Sequence, residues 1–136
     1  MLDVRIRKAF AGGFALDVEL AAPPGVTILF GASGSGKTLT LKAIAGLERP
    51  DEGRVSVGGE TLFDSARGVS LPVRLRRVGY VFQNLALFPH MTARENVEFA
   101  AARLPARERR ARALALLEQF GVAHAADRLP RAVSGG

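Results

Sequence analysis

The sequence predicts an α/β fold in which a β-rich first part surrounds one helix and a helical second part follows. Alternating apolar and charged residues at 2–20 indicate a half-buried hairpin. The apolar run VTILF at 26–30 leads into a Gly-rich loop and then an apolar-periodic helix. After Pro89 the pattern becomes helical. We therefore expect two domains, 1–88 and 89–136.

Length and composition exclude several classes of protein. A chain of 136 residues is long enough for one hydrophobic core. It has no Cys, which excludes disulfides and thiolate metal sites, and it has no apolar run long enough for a membrane span. The net charge of +6 is spread along the chain without interleaved aromatic residues. We expect a cytoplasmic protein with no nucleic-acid partner.

The first part contains five strand-like segments, two of which form the hairpin. The hairpin places apolar residues at alternate positions on either side of an AGG turn. VTILF at 26–30 and VGYVF at 78–82 are continuous apolar runs, which are typical of parallel strands buried on both faces. RVSVGGE at 54–60 indicates a short strand followed by a turn. The chain is therefore expected to be β-rich, with one helix, up to about residue 88.

Three helices are predicted. The first covers about 37–47 and ends before Pro50, and its predicted inward residues are Leu41, Ile44 and Ala45. The second begins at a capping box formed by Thr92 and Glu95. The third covers about 106–120 and stops at Gly121, and its predicted apolar stripe is Leu114, Leu117 and Phe120.

One motif in the first part carries specific chemistry. GASGSGKT at 31–38 fits the pattern G-x-x-x-x-G-K-[ST], which binds the phosphates of a nucleotide. A buried strand is predicted before it and a helix after it, as that pattern requires. The predicted phosphate ligands are Gly31, Ala32, Ser33, Gly34, Ser35, Gly36, Lys37 and Thr38.

Each residue type that this pattern requires has a physical role. Gly31, Gly34 and Gly36 let the loop curl so that its backbone N–H groups point inward, where a Cβ would clash. The helix that begins near Gly36 adds its positive end. Lys37 brings a full charge to the β- and γ-phosphates, and Thr38 offers a hydroxyl to Mg²⁺. The motif alone does not separate ATP from GTP.

Further segments resemble the ABC-transporter ATPases. AGLERPDEGRVSVGGE at 45–60 is similar to that family's stretch after the phosphate loop. RRVGYVFQNLALFPHMTARENV at 76–97 resembles its Q-loop and the start of its helical subdomain. VSGG at 133–136 is similar to the opening of its signature motif, L-S-G-G-Q. The resemblance covers almost the whole chain and implies a P-loop NTPase fold of the ABC-ATPase type, with a β subdomain, part of a parallel core sheet and a helical subdomain.

The resemblance also implies roles for particular residues. Gln83 would end its strand and position Mg²⁺ and the attacking water. Ser134, Gly135 and Gly136 would contact the ATP bound to the opposite subunit of a homodimer. Residues 84–95 would meet the membrane-spanning permease subunits, with Arg94 as an exposed charge of that region.

Some positions depart from the family pattern. Leu39 stands where the family has a small hydroxyl residue near the α-phosphate, and Val133 replaces the usual Leu of the signature. Phe10 and Phe14 are both candidates for the aromatic residue that stacks on adenine. The acidic strand that holds Mg²⁺, the catalytic Glu and the switch His would follow residue 136 in the family. Three acidic residues within the chain are expected in turns and are not assigned those roles, namely Asp51, Glu52 and Asp64.

The function implied by the resemblance is that of an ATP-binding subunit that couples Mg-ATP hydrolysis to solute import. The segment before the Q-loop is most similar to that of molybdate importers, while sulfate or polyamine importers and soluble ABC ATPases are the alternatives. The expected location is the cytoplasmic face of the inner membrane. Residues 1–136 by themselves are expected to bind nucleotide without hydrolysing it.

Overall fold

The computed structural model describes residues 1–84 and 86–133. The chain forms two compact units, Met1–Val81 and Phe82–Gly136. The predicted domain boundary, after residue 88, lies a few residues later in the chain. That division into functional subdomains stays a prediction.

The first unit is built on a five-stranded antiparallel sheet with the order β2-β1-β3-β4-β5. The strands are β1 (Leu2–Ala9), β2 (Ala15–Ala22), β3 (Glu52–Val57), β4 (Glu60–Asp64) and β5 (Val69–Ser70). The predicted hairpin is confirmed as β1 and β2, and the segment 54–60 as β3 with its turn into β4.

The alternation in the sequence decides which face of this sheet is buried. Val4 and Ile6 on β1 face inward with Leu16 of β2. The intervening charges remain on the exposed face, where Arg5 pairs with Glu19 across the two strands. The core also contains Val55, Leu62 and Phe63 from the sheet together with Ala43 and Ile44 from the first helix.

Helix α1 (Lys37–Ala45) packs on this core through Ala43 and Ile44. The predicted helix is confirmed, but it ends at Gly46, well before Pro50, because Gly46 adopts the left-handed conformation that closes a helix (φ 83°). The prediction that Leu41 faces inward is wrong. Leu41 is exposed, and Thr40 takes the buried position instead.

The two predicted parallel strands are not formed. VTILF at 26–30 and VGYVF at 78–82 have no strand structure, and Val26, Ile28 and Phe30 are 94%, 82% and 98% exposed. A buried parallel strand requires neighbours for its backbone groups and for both apolar faces. Within residues 1–84 and 86–133, no strand pairs with either segment. The apolar pattern of these two segments is therefore not sufficient for a strand where neighbouring strands are not paired with them.

The second unit contains helices α2 (Ala93–Ala100) and α3 (Ala106–Gln119), followed by two 3₁₀ turns at Ala123–Ala125 and Pro130–Ala132. The capping box is confirmed, because the Thr92 hydroxyl accepts from the Glu95 N–H and Glu95 accepts from the Thr92 N–H. The Thr92 N–H and the Thr92 hydroxyl both donate to the Glu95 carboxylate, and these two bonds lower its pKa. None of the helices described is long and apolar enough to cross a membrane.

Helix α3 ends before Gly121 as predicted, but its inward face differs from the predicted stripe. Leu117 is buried, and its partner on the buried face is Ala113. Phe120 is 75% exposed, so its place on the buried stripe was wrong. Ala113 is only 1% exposed, and a search for large apolar residues alone does not find it.

Candidate functional site

The Gly-rich loop adopts the curled form that its pattern predicts. Gly34 and Gly36 have positive φ angles of 81° and 93°, and the Ser35 N–H donates to the carbonyl of Ala32 over 3.3 Å. These turns bring the chain directly into α1, whose first residues are Lys37 and Thr38. The loop and the helix start therefore form one continuous structure.

The ammonium group of Lys37 lies inside this loop. Its Nζ donates to the carbonyls of Gly31 (2.8 Å) and Ala32 (2.6 Å), and it lies 3.4 Å from the Ser35 hydroxyl. An ammonium has three donors, and these contacts occupy them. A phosphate bound in the loop would have to replace at least one of these acceptors.

The start of α1 differs from that of α2 in a way that suits an anion. Helix α1 has neither a side-chain cap nor an acidic residue in its first turn, whereas α2 has the complete capping box with Glu95. The positive end of α1 is therefore not compensated by the chain itself. This is the electrostatic arrangement that a phosphate group would complete.

The residues after Lys37 divide between the surface and the core. Thr38 is exposed, so its hydroxyl is accessible to a metal ion. Leu39, which stands where the family has a small hydroxyl residue, packs against the core. The next residue, Thr40, is buried and its hydroxyl donates to the Gly36 carbonyl over 3.0 Å. This hydrogen bond from Thr40 stabilises the point where the loop joins α1.

The structure distinguishes the two candidate aromatic residues. Phe10 packs against the core and carries the Lys8 ammonium 5.4 Å from its ring centre. Phe14 is 41% exposed, and its Cζ lies 3.6 Å from the position that a Cβ on Gly36 would occupy. Phe14 is therefore the aromatic ring next to the phosphate loop.

The other predicted site residues are less well defined by the structure. Gln83 is exposed and lies in the second unit, in a bend where a strand end was predicted. Ser134, Gly135 and Gly136 lie outside the described residues. Of the three acidic residues expected in turns, Glu52 begins β3 and Asp64 ends β4, so the turn assignment was wrong for these two.

No cluster of three or more His, Asp or Glu side chains suited to a metal ion occurs among the residues that the structure describes.

Arg94 does not have the exposure expected of it. Its guanidinium is only 16% exposed and forms ion pairs with Glu98 (2.6 Å) and Asp127 (3.1 Å). Both bonds raise the pKa of Arg94. Arg94 thus links α2 to the turn that follows α3. The expectation that Arg94 is exposed was wrong, and the docking role of its region stays a prediction.

Sequence reasoning missed two polar residues. Asn96 organises the loop before α2, since its amide accepts from the Phe88 N–H and donates to the carbonyls of Phe88, Met91 and Thr92. Arg76 is buried beneath α1, and burial lowers the pKa of its guanidinium. The cluster RLRR at 74–77 hid Arg76, because three arginines within four residues suggest a solvated surface.

Comparison with known proteins places this loop in a family. Residues 16–136 match the family model described as ABC transporter. The chain is 50% identical over its whole length to the molybdenum import ATP-binding protein ModC of Paramagnetospirillum magneticum. It is also 50% identical over 99% of its length to ModC 1 of Azotobacter vinelandii. The chain spans 37% of the length of each of these two relatives.

Solved structures of ABC proteins have a similar fold. The dimeric post-hydrolysis state of the ATP-binding cassette MJ0796, bound to ADP and Pi, superposes with a TM-score of 0.80 at 30% identity. That match covers 99% of this chain and 64% of the other. The cbiO1 protein of Clostridium perfringens gives a TM-score of 0.73 at 25% identity, covering 98% and 55% of the two chains. The predicted ABC-ATPase fold class is thereby confirmed.

Proposed function

The chain belongs to the ABC transporter family, and from that premise we propose that it is the phosphate-binding part of an importer's ATP-binding subunit. We use the term full-length protein for a protein that contains this chain and has the length of the relatives above. The proposed activity of the full-length protein is hydrolysis of Mg-ATP coupled to import of molybdate. The observation that supports this proposal is the curled loop around Lys37, which leads directly into a helix whose N-terminus has no side-chain cap.

Binding of ATP would use groups already in place. The backbone N–H groups of 31–36 and the first turn of α1 would receive the β- and γ-phosphates. Lys37 would exchange its carbonyl acceptors for phosphate oxygens, which make stronger, charge-assisted hydrogen bonds. Thr38 would offer its hydroxyl to Mg²⁺, whose remaining ligands would be phosphate oxygens and water.

For the adenine ring, we favour Phe14 over Phe10. Phe14 is exposed and adjoins Gly36, whereas Phe10 is committed to the core and to Lys8. Stacking on an aromatic face is available to any base, so Phe14 would contribute affinity without choosing between ATP and GTP.

Hydrolysis would require groups from further residues. Gln83 would position Mg²⁺ and the attacking water, and Ser134, Gly135 and Gly136 would complete the site of a second copy of the subunit. The adjacent acidic residues that the family places later in its sequence would supply the general base. These roles rest on the resemblance of the motifs.

The proposed partners are a second ATPase subunit and membrane-spanning permease subunits on the cytoplasmic face of the inner membrane. Molybdate is favoured over sulfate and polyamines because the relatives named above are molybdenum import proteins.

The test is solute uptake by vesicles that contain the full-length protein and its permease. ATP-dependent uptake of molybdate, undiminished by an excess of polyamine, is the expected result. Uptake of sulfate in preference to molybdate would refute the substrate assignment. ATP hydrolysis without stimulation of any uptake would refute the importer assignment.

A further inference from the structure

Arg76 is a buried charge whose partners are all neutral. Only 6% of the residue is exposed, and none of the ion pairs of the described residues includes it. Its Nη1 donates to the carbonyls of Ala43 and Ile44, and its Nε donates to that of Leu71, each over 2.9 Å. Burying a guanidinium without an anion costs free energy, so a neutral residue would be the simpler choice if Arg76 only filled space.

The acceptors show which element Arg76 holds. Ala43 and Ile44 lie in the last turn of α1, the helix whose first turn carries Lys37 and Thr38. Carbonyls at that end have no partners within the helix and carry its partial negative charge. Arg76 therefore anchors the end of α1 opposite the phosphate loop and ties it to the chain at Leu71.

Gly46 makes room for this anchor. A Cβ on Gly46 would lie 2.5 Å from Nε and 2.7 Å from Cζ of Arg76, and Gly46 has a φ of +83°. Because Gly46 has no side chain, the guanidinium group of Arg76 can pack directly against its backbone. Gly46 and Arg76, which are thirty residues apart in the sequence, therefore pack together at the C-terminal end of α1.

We propose that Arg76 is a positioning residue for nucleotide binding, because it fixes the direction in which α1 presents its first turn. This inference rests on the proposed function of the loop. A nine-residue helix is about 13 Å long, so a tilt of about 5° at the anchored end moves the other end by about 1 Å. Binding groups must stay within about 0.5 Å of their productive positions. Loss of the anchor would therefore disturb Lys37 and Thr38 without touching them.

The test compares the full-length protein with Arg76→Met, Arg76→Lys and Gly46→Ala. Arg74→Met is the matched control, because Arg74 is an exposed arginine in the 3₁₀ turn Val73–Leu75, which directly precedes Arg76. The dissociation constant for Mg-ATP is measured by calorimetry well below the thermal transition of each variant, where all molecules are folded. The binding stoichiometry reports the competent fraction.

We expect Arg76→Met and Gly46→Ala to weaken Mg-ATP binding at least about tenfold at unchanged stoichiometry. Arg74→Met should bind as the wild type does. Arg76→Lys should recover part of the affinity, because one ammonium keeps the charge but cannot reach all three carbonyls in a plane. If Arg76→Met does not fold, Gly46→Ala decides the matter, since it retains every polar group of the anchor.

Wild-type affinity in the folded variants, with only a lower transition temperature, would overturn the inference and leave Arg76 a purely structural residue. Absence of Mg-ATP binding by the wild type would instead refute the proposed function, and the inference with it. The two failures are therefore distinguished by the wild-type measurement.

Discussion

Replacing Gly36 by Ala tests how tightly the phosphate loop is packed against the hairpin. A Cβ on Gly36 would lie 2.5 Å from Cδ1 of Leu16, a core residue that is 3% exposed, so Leu16 would have to move. Gly34 provides a matched control. It also has a positive φ, of 81°, but no heavy atom lies within 4 Å of its Cβ position. The difference between the two variants isolates the packing cost.

The magnitudes follow from these contacts. An Ala in the left-handed region costs about 1–2 kcal/mol. The lower entropy of the unfolded chain offsets about 0.4–1 kcal/mol of that cost. We therefore expect Gly34→Ala to lower the free energy of unfolding by about 0.5–1 kcal/mol. Gly36→Ala should cost about 1–3 kcal/mol more, which is the usual cost of overpacking a core.

Urea unfolding of the full-length protein without nucleotide, followed by circular dichroism, measures both values. Leu16→Ala removes a core side chain and by itself should cost about 2–5 kcal/mol. Combined with Gly36→Ala, the total loss should fall short of the sum of the two single losses by most of the extra cost, because the two side chains no longer compete for the same space. Equal destabilisation by Gly34→Ala and Gly36→Ala, or strict additivity with Leu16→Ala, would refute the packing argument.

Three further outcomes are expected. Gln83→Ala in the full-length protein should slow turnover more than it weakens Mg-ATP binding, and equal losses of both would contradict its proposed role. Leu87→Glu, at an exposed position, should reduce solute uptake in vesicles while sparing the ATPase activity of the isolated subunit. Glu108→Lys, on the exposed surface of α3, is the control. Unaffected uptake by the Leu87→Glu protein would show that the permease docks elsewhere. Residues 1–136 expressed alone should aggregate and release no phosphate, because the segment 26–30 exposes its apolar side chains; a soluble fragment that hydrolyses ATP would contradict this.

Local patterns in the sequence were sufficient for the elements whose stabilising contacts are also local. The hairpin depends on alternation, and the start of α2 depends on bonds between Thr92 and Glu95, three residues apart. The phosphate loop belongs to the same class, because its glycines and Lys37 lie within eight residues. Such features can be predicted because the residues that define them lie close together in the sequence.

Features decided by distant contacts could not be predicted in this way. The segment 26–30 has the composition of a parallel strand, but strand formation depends on partners elsewhere. Arg94 was expected to be exposed, but its side chain is only 16% exposed and one of its ion-pair partners is Asp127, more than thirty residues away. The choice of Phe14 over Phe10 likewise depended on which ring the hairpin turns toward Gly36.

The central claim is that Lys37 and the loop around it bind the phosphates of Mg-ATP. Calorimetry on the full-length protein with Lys37→Ala tests it most directly, because no other side chain of the loop brings a positive charge to the β- and γ-phosphates. We predict a loss of Mg-ATP affinity of at least about a hundredfold, which corresponds to about 2.7 kcal/mol. Circular dichroism should show an unchanged fold. Unchanged affinity in a correctly folded Lys37→Ala protein would contradict the claim.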